Sequence, residues 1–315
     1  MTQNKPKVLA VCGPTASGKS WLGVELALKY NGEIVSADSI QIYKGMDIAS
    51  AKPTEEEKKG IPHHLMDFLD RDVTFSAADY VRLAHEKIGE ILNRGKLPII
   101  VGGTGLYIDS LLNNVNFSEM KNDEEYRRSL YDYAAEYGNE ALYERLVSAD
   151  PEAAELIHMN NLVRVVRALE VIHVTGRKFS ELKGESRLVE SPYDSVIIGL
   201  NAVDRSMLYE RINQRVDIMV EMGLVDEARE LWQTSSMKTA ANAIGYKELI
   251  PYFENEMSLN ECIEKIKQET RRYAKRQLTW FRRDDSIEWI ITDDFSKKCE
   301  IFEKSEKAIA KYGIM

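Results

Sequence analysis

The sequence predicts an α/β protein with a parallel sheet, helices on both of its faces and an all-helical insertion domain. In the first third of the chain, short apolar segments alternate with helical patterns, which is typical of strands buried on both faces of a parallel sheet. A glycine-rich turn of the phosphate-loop type follows the first apolar segment, at residues 13–20. A buried-strand signal returns at residues 195–200 after a long helical stretch, which indicates that the sheet is interrupted.

The first part of the predicted core covers residues 1–115. Its strand candidates are short and apolar, and they are separated by segments with helical spacing of apolar side chains. The predicted strands are Lys7–Cys12, Glu33–Ala37 and Pro98–Val101, and the predicted helices are Lys19–Tyr30 and Ala77–Asn93.

Residues 116–194 form the predicted insertion domain, and residues 195–315 complete the core. The insertion is charge-rich and has no strand signal, with helices predicted at Asp123–Gly138, Asn139–Ala149 and Asn161–Gly176. In the second part of the core the strand candidates are Ser195–Leu200 and Ile287–Thr292, and the helices are Arg205–Met222, Leu224–Trp232 and Leu259–Arg283.

Composition restricts the class of protein. Of the 315 residues, 44% are apolar and 30% charged, which is ordinary for a soluble globular chain, and no apolar run is long enough to span a membrane. Cys12, Cys262 and Cys299 are far apart, which argues against a disulfide framework or a structural zinc site and favours a reducing cytoplasm. The net charge of −9 decides little about nucleic acid, because nucleic acid binds a local patch of the surface.

The segment GPTASGKS matches the pattern G-x-x-x-x-G-K-[ST] in full. Its backbone N–H groups and the following helix N-terminus suit phosphate oxygens, while Lys19 reaches the terminal phosphate and the Ser20 hydroxyl is a ligand for Mg²⁺. The motif makes the sheet P-loop NTPase-like. The predicted phosphate-binding residues are Gly13, Pro14, Thr15, Ala16, Ser17, Gly18, Lys19 and Ser20.

Two further strand ends carry candidate site residues. Asp38 follows the second strand, and three roles are open to it: general base, Mg²⁺ ligand, or cap of a turn supported by Ser39. The third strand ends in Gly102–Tyr107, GGTGLY, whose glycines leave room for a ligand near the Thr104 hydroxyl; a turn before a helix capped by Thr104 would give the same pattern.

The stretch 271–283 holds six cations and no acid, although the chain as a whole has an acid excess. Phosphate-backbone binding explains this composition, and a solvated helix face is the alternative. Arg164 and Arg167 lie one turn apart on a helix of the insertion, where either a surface ion pair or RNA contact would suit them. His63 and His64 have no metal-ligand spacing, which favours a turn or core role.

Taken together, the motifs resemble those of the bacterial tRNA dimethylallyltransferases, also called tRNA isopentenyltransferases. The similar stretches cover nearly the whole chain, and the zinc-finger extension of some eukaryotic members is absent. These stretches are GPTASGKS (13–20), SADSIQIYKGMDIASAKPT (36–54), IPHHLMDF (61–68), FSAADY (75–80), VGGTGLYI (101–108), RVVRALEV (164–171), RINQRVDIMVEMGLVDE (211–227), AIGYKE (243–248) and RRYAKRQLTWFRR (271–283).

The resemblance implies transfer of a dimethylallyl group from dimethylallyl diphosphate to N6 of the adenine on the 3′ side of the tRNA anticodon, with Mg²⁺ as cofactor and diphosphate as leaving group. In this scheme Lys19 and an Mg²⁺ held by Ser20 offset the charge of the leaving group. Asp38 would accept the amine proton, Thr104 would hydrogen-bond the bridging oxygen, and Arg215 would add a diphosphate contact.

The resemblance also implies contacts with the tRNA. The adenine leaves its stack and is recognised by Asp38, Ser39, Ile40, Gln41 and Thr104. The anticodon arm is held by the insertion domain and the basic helix, through Arg127, Arg164, Arg167, Arg271, Lys275 and Arg276. We expect a cytoplasmic monomer with no membrane association and no obligatory protein partner.

Three alternatives stay open at this point. A P-loop small-molecule kinase would bind ATP at the same loop but would leave the basic helix unexplained. A transferase acting on free adenine nucleotides would share the chemistry without needing a long RNA-binding surface. A non-catalytic RNA-binding protein would have no use for intact Lys19, Ser20 and Asp38.

Overall fold

A computed structural model describes residues 5–115, 117, 123–186, 189–234, 243–293 and 297–313. The chain divides into two compact units. The first comprises Met1–Leu112 and Pro192–Met315, and the second comprises Asn113–Ser191.

The described residues of the first unit contain one six-stranded sheet. Every neighbouring pair of strands is parallel, and the spatial order is β3-β2-β4-β1-β5-β6. The strands are β1 (Lys7–Cys12), β2 (Gly32–Ala37), β3 (His63–His64), β4 (Leu97–Gly102), β5 (Asp194–Asn201) and β6 (Ile287–Ile291). The central strand β1 is fully buried from Val8 to Cys12, as its unbroken apolar run requires.

The helices are numbered along the chain. In the first unit they are α1 (Lys19–Lys29), α2 (Glu55–Lys58), α3 (Ala77–Asn93), α4 (Gly105–Leu112), α9 (Arg205–Glu221), α10 (Leu224–Gln233), α11 (Ile250–Phe253), α12 (Leu259–Phe281) and α13 (Lys298–Ala310). In the second unit they are α5 (Glu124–Ala149), α6 (Pro151–Leu156), α7 (Leu162–Thr175) and α8 (Phe179–Glu185).

The sheet of the first unit is covered on both faces. Leu22 and Leu26 of α1 pack with Ile301 of α13 on one face, while Tyr80 and Ile88 of α3 belong to the cluster on the other. A separate apolar cluster joins α9, α10 and α12 to the loop that follows β2. Serine capping boxes begin α3 and α12, so both helices start where polar side chains satisfy their first N–H groups.

The second unit has its own core, formed by side chains of α5, α6 and α7 that include Leu130, Leu142 and Val166. The backbone of α5 is broken at Gly138, whose φ of 89° is outside the helical range. Buried Asp150 caps α6 and also accepts hydrogen bonds from the N–H and hydroxyl of Ser180, which ties α8 to this core.

The structure confirms every predicted strand and every predicted helix to within two residues, except that the two helices meeting at Gly138 form one element with a break. The short elements α2, α6, α8, α11 and β3 were not predicted, because segments this short carry little periodicity. The helix α4 begins directly after Thr104, where a helix was one of the two alternatives for the GGTGLY segment. No helix in the described ranges has both the length and the apolar character that a membrane crossing demands.

Candidate active site

A cavity of about 300 Å³ lies in the first unit, beside the carboxyl ends of β2 and β4. Parallel α/β sheets bind ligands at this edge. Of the predicted site residues, nine line it: Thr15, Lys19, Ser20, Asp38, Ser39, Ile40, Gln41, Arg215 and Arg276. Gly13, Pro14, Ala16, Ser17, Gly18, Thr104, Arg271 and Lys275 belong to the same unit but do not line it.

The phosphate loop joins β1 to α1 in a conformation that needs its glycines. Gly13 has φ of 145°, and a Cβ there would lie 2.6 Å from the carbonyl oxygen of Leu200 in β5. Gly18 has φ of 92° and directly precedes α1, so the helix N-terminus opens from the loop. The hydroxyl of Ser17 is buried and has no hydrogen-bond partner in the described part of the chain, and Ser20 is exposed.

Lys19 is the cation of this loop. Its Nζ donates a hydrogen bond to the carbonyl oxygen of Pro14 at 2.8 Å. The pKa of Lys19 is lowered to about 8, mainly by burial and also by the neighbouring Arg215, while Asp38 opposes the shift. Burial also lowers the pKa of Arg215, and Asp38 again opposes the shift. Two desolvated cations next to one carboxylate give this end of the cavity a positive charge that suits an anion.

Asp38 uses one carboxylate oxygen to shape its own turn. Its Oδ1 accepts the backbone N–H groups of Ile40 at 2.9 Å and Gln41 at 3.2 Å. The other oxygen, Oδ2, has no hydrogen bond to the described residues, and the side chain lines the cavity. Asp38 is therefore a turn cap whose second oxygen can still accept a proton or a metal ion.

The glycines of the GGTG turn do not leave room for a ligand, so this expectation was wrong. A Cβ on Gly102 would lie 2.1 Å from the carbonyl oxygen of Ala37 in β2. On Gly103 it would lie 2.1 Å from Gln277 Nε2, and on Gly105 it would lie 2.3 Å from Trp280 Cδ1. The space that these glycines provide is filled by β2 and by α12.

The hydroxyl of Thr104 is turned toward the loop after β2. Its Oγ1 accepts the N–H of Ser39 at 3.0 Å, and Tyr273 of α12 forms a side-chain hydrogen bond with Thr104. Burial is the main cause that raises the pKa of Tyr273, so its hydroxyl is protonated at neutral pH. Thr104 thus connects the loop after β4 to the loop after β2. Its contact with a diphosphate oxygen stays a prediction.

Gln277 is a site residue that the sequence analysis did not identify. It is buried in α12, where its Oε1 accepts the N–H of Thr15 and its Nε2 donates to the carbonyl oxygen of Gly103, both at 2.9 Å. One amide side chain therefore connects the phosphate loop to the GGTG turn. The helical period placed this position on the inner face of α12, and a lone glutamine on an inner face was the available signal.

Gln41 is fixed within the cavity wall. Its Oε1 lies 3.1 Å from the Ser36 hydroxyl, and its Nε2 donates to the carbonyl oxygens of Ser50 and Ala51 at 3.1 and 3.3 Å. His63 also lines the cavity, with Nδ1 2.8 Å from the Ile61 carbonyl oxygen.

His64 lies outside the cavity wall, in β3. Its Nε2 is 2.7 Å from the carboxylate of buried Glu33, which also pairs with Arg94 and Lys96. Burial opposes ionisation of Glu33, but hydrogen bonds from Arg94, Lys96 and His64 hold its pKa near 2. The turn or core role expected for this histidine pair is confirmed for His64, while His63 contributes to the cavity.

The basic stretch at the end of α12 is partly engaged within the protein. Arg271, for which the resemblance implies a contact with the anticodon arm, is half-buried and donates a hydrogen bond to Asn213 Oδ1 at 2.5 Å. Lys275 and Arg276 are exposed, and the Arg276 guanidinium lies 5.6 Å from the ring centroid of Tyr273. These two cations are available to a phosphate backbone.

In the second unit, the side chains of Arg127 and Arg167 pair with buried Glu170, at 2.9 and 2.7 Å. Both arginines therefore bind the same carboxylate, and both side chains are half-exposed. Arg164 is exposed, and its side chain makes no ion pair with the described residues. The ion-pair role considered for Arg167 is therefore present, and Arg164 is the freer of the two.

The described side chains form no cluster of three or more His, Cys, Asp or Glu residues that could hold a metal ion. A Mg²⁺ bound to phosphates needs fewer protein ligands, since it keeps several waters and accepts one or two protein oxygens. The exposed Ser20 hydroxyl and Oδ2 of Asp38 are oxygen donors of this kind on the cavity wall. The donor set fits a Mg²⁺ brought in with a diphosphate.

Comparisons with known proteins are consistent with this geometry. The family model described as IPP transferase matches residues 41–284. The tRNA dimethylallyltransferase of Thermoanaerobacter sp. strain X514 is 49% identical, and the match covers 97% of each chain. That of Bacillus subtilis strain 168 is 50% identical, covering 96% of this chain and 97% of the relative.

Solved structures agree with these relatives. The tRNA isopentenylpyrophosphate transferase of Bacillus halodurans, known from a crystal structure, is 44% identical in sequence to this chain. The two structures match with a TM-score of 0.72 over 98% of each chain. A eukaryotic dimethylallyltransferase acting on tRNA is 31% identical with a TM-score of 0.81, covering 97% of this chain and 79% of that one. The chain therefore belongs to the IPP transferase family, and its curated relatives are tRNA dimethylallyltransferases.

Proposed function

We propose that this protein transfers a dimethylallyl group from dimethylallyl diphosphate to N6 of the adenine on the 3′ side of the tRNA anticodon. The observation that carries the proposal is that one cavity combines a phosphate loop, two cations and a carboxylate with an apolar wall. A kinase would need a second strand end with an Mg²⁺-binding acid, but β4 and β5 end in Gly102 and Asn201.

The phosphate loop, Lys19 and Arg215 would bind the diphosphate as the leaving group. With a pKa of about 8, Lys19 is mostly protonated at neutral pH. As the bond between the allylic carbon and oxygen breaks, negative charge grows on the diphosphate, and two desolvated cations stabilise it more strongly than water would. Gln277 would keep the phosphate loop in register with the GGTG turn.

Asp38 would act as the general base. The adenine N6 attacks the allylic carbon, a bond between nitrogen and carbon forms, and the amine proton moves to Oδ2 of Asp38. The other oxygen, Oδ1, keeps its two backbone hydrogen bonds, which hold the carboxylate in one orientation. General bases of this kind contribute about 10²–10⁴-fold to rate.

Mg²⁺ is part of this proposal. The Ser20 hydroxyl would hold it together with diphosphate oxygens, and the ion would neutralise charge on the leaving group.

The tRNA would be bound through phosphates and an unstacked base. Exposed Lys275 and Arg276 in the first unit and Arg164 in the second are cations with side chains open to solvent. A target adenine must leave its stack to enter a protein cavity, and Ser39, Ile40 and Gln41 line that cavity. We also propose that the protein works as a monomer, because residues of a single unit line the cavity. The wide spacing of its three cysteines supports a cytoplasmic location in this proposal.

The decisive experiment offers labelled dimethylallyl diphosphate and Mg²⁺ to the protein with unmodified tRNA, AMP or ATP as acceptor. We expect label on tRNA only, at N6 of the adenine beside the anticodon after nuclease digestion. Label on AMP or ATP would show a transferase of free nucleotides, and absence of label on all three would overturn the proposal.

A further inference from the structure

Glu227, in the first turn of α10, has a carboxylate that joins three segments of the first unit. Its Oε2 accepts the N–H groups of Asp47 and Ile48, both at 2.9 Å. Its Oε1 accepts the N–H of Ala49 at 3.2 Å and the hydroxyl of Tyr246 at 2.7 Å. No step of the transfer described above uses this residue.

The three joined segments form one side of the cavity. Ala49 in the loop, Leu224 at the start of α10, and Ala243, Ile244 and Gly245 before Tyr246 all line it. They also pack closely, because a Cβ on Gly245 would lie 3.0 Å from Cβ of Ala49. We call these five residues the apolar wall. The loop is held a second time, since the Gln41 amide binds the carbonyl oxygens of Ser50 and Ala51.

Part of the apolar wall is separated from Arg215 along the chain. The lining residues of α9 are Ile212, Arg215, Val216 and Met219. Met219 is roughly 6 Å further along the helix axis than Arg215, at about 1.5 Å per residue. The helix α9 ends at Glu221 and Leu224 begins α10, so the lining residues of this segment after Arg215 are all apolar. A diphosphate held at Lys19 and Arg215 would direct its hydrocarbon group toward the apolar wall.

We propose that Glu227 is a positioning residue that fixes the apolar wall and thereby limits the alkyl chain that the cavity accepts to five carbons. The inference rests on the proposed function, because it requires a prenyl diphosphate as donor. If the loop had free N–H groups and were held only by side-chain packing, a donor with a longer alkyl group could displace it. A loop bound through three consecutive N–H groups to one carboxylate resists such a shift.

The substitution Glu227→Gln tests this arrangement with little change in shape. An amide has one acceptor oxygen, so its NH₂ group must face either the N–H groups of Asp47 and Ile48 or the N–H of Ala49. At least one backbone N–H of the loop then loses its acceptor, which favours movement of the loop away from α10. Tyr246→Phe removes a single donor and leaves the three backbone hydrogen bonds intact, so its effect is expected to be smaller. Asp226→Asn is the matched control, because that carboxylate is exposed and, among the residues that the structure describes, pairs only with Arg229.

The measurement is kcat/KM for transfer to unmodified tRNA with dimethylallyl diphosphate and with geranyl diphosphate, which is longer by five carbons. We expect the preference for the short donor to fall about tenfold in Glu227→Gln, about threefold in Tyr246→Phe, and not at all in Asp226→Asn. Inhibition by inorganic diphosphate, which needs only the charged end, should change less than about twofold. The thermal midpoint of each variant shows that it is folded.

The possible outcomes are distinct. Equal losses with both donors in Glu227→Gln, or weaker inhibition by diphosphate in parallel with the loss, would overturn the positioning role. If that variant does not fold, an unchanged donor preference in Tyr246→Phe would overturn it. Failure of the wild-type protein to transfer from dimethylallyl diphosphate to tRNA would instead refute the proposed function itself.

Discussion

The low pKa of Lys19 predicts that the affinity for a prenyl diphosphate falls as the pH rises above about 8. In the free protein, burial and Arg215 disfavour the charged ammonium. A bound diphosphate favours the charged form, so binding above this pH must be accompanied by uptake of a proton at Lys19. Affinity is therefore greatest below the pKa of the free protein and declines above it.

The magnitude follows from the size of the shift. The pKa of Lys19 falls from 10.5 to about 8, which makes its protonation in the folded protein less favourable by about 3 kcal/mol. Between the pKa of the free protein and that of the complex, the dissociation constant rises about tenfold for each pH unit. From pH 7 to pH 9 we expect an increase of about tenfold, because only the second of these two units lies above the pKa of about 8.

Calorimetric titration of dimethylallyl diphosphate without tRNA, at fixed Mg²⁺ and ionic strength, measures this change directly. The ligand's last phosphate proton has a pKa of about 6, so its own charge is constant over this range. Buffers of different ionisation enthalpy report the proton uptake. Arg215→Gln is the informative variant, because it removes the cation that lowers the pKa of Lys19 and should move the onset of the decline to higher pH.

A dissociation constant that stays within about twofold from pH 7 to pH 9, with no proton uptake, would refute this reasoning. It would mean that Lys19 keeps a pKa near its ordinary value and is not desolvated in the cavity. An unchanged onset in Arg215→Gln would refute the smaller claim that Arg215 lowers the pKa of Lys19.

Three further predictions concern single residues. Asp38→Asn keeps an acceptor oxygen for the N–H groups of Ile40 and Gln41 but removes the general base. We therefore expect kcat to fall about 10²-fold or more while tRNA binding is retained. Near-normal turnover would show that Asp38 is a turn cap only. Gln277→Met removes the side-chain partner of the Thr15 N–H and of the Gly103 carbonyl oxygen, so KM for dimethylallyl diphosphate should rise about tenfold. The control Gln268→Met, on the exposed face of α12, should leave this KM unchanged. Equal KM values in the two variants would contradict the positioning role of Gln277. Arg276→Ala should weaken tRNA binding and lower the slope of log affinity against log salt concentration by about one. The control Arg82→Ala, at an exposed position of α3, should leave both unchanged. An unchanged slope in Arg276→Ala would indicate that this face of α12 is only solvated.

The regular elements of the core could be predicted because their signals are local. The strands β1, β2, β4 and β5 are mainly apolar and mostly buried, β6 is a short apolar run at the edge of the sheet, and each long helix has a continuous apolar stripe or a capping residue. The strand His63–His64 could not be predicted, because it pairs with β2 through two residues only and its side chains are polar. Its existence depends on Glu33, which is remote in sequence and binds His64.

The candidate site could be predicted where it depends on a motif, and only partly where it depends on contacts between distant segments. The phosphate loop was assigned from eight consecutive residues, and Asp38 from its place at the end of a strand. The role of Gln277 depends on Thr15 and Gly103, which are 262 and 174 residues away in the chain. Burial of Arg271 against Asn213 likewise depends on how α9 and α12 meet. Periodicity gives the face of a helix and not the group that the face contacts.

The GGTG turn shows how a motif can be recognised correctly and explained wrongly. The glycines suggested space for a ligand, yet a Cβ on Gly103 or Gly105 would overlap with Gln277 or Trp280 of α12. The same helix presents Lys275 and Arg276 to solvent. The turn therefore needs glycine at these positions because large side chains of α12 pack directly against it. This contact packs the helix that carries the exposed cations against the loops at the cavity, although the turn and the basic stretch lie about 170 residues apart in the chain.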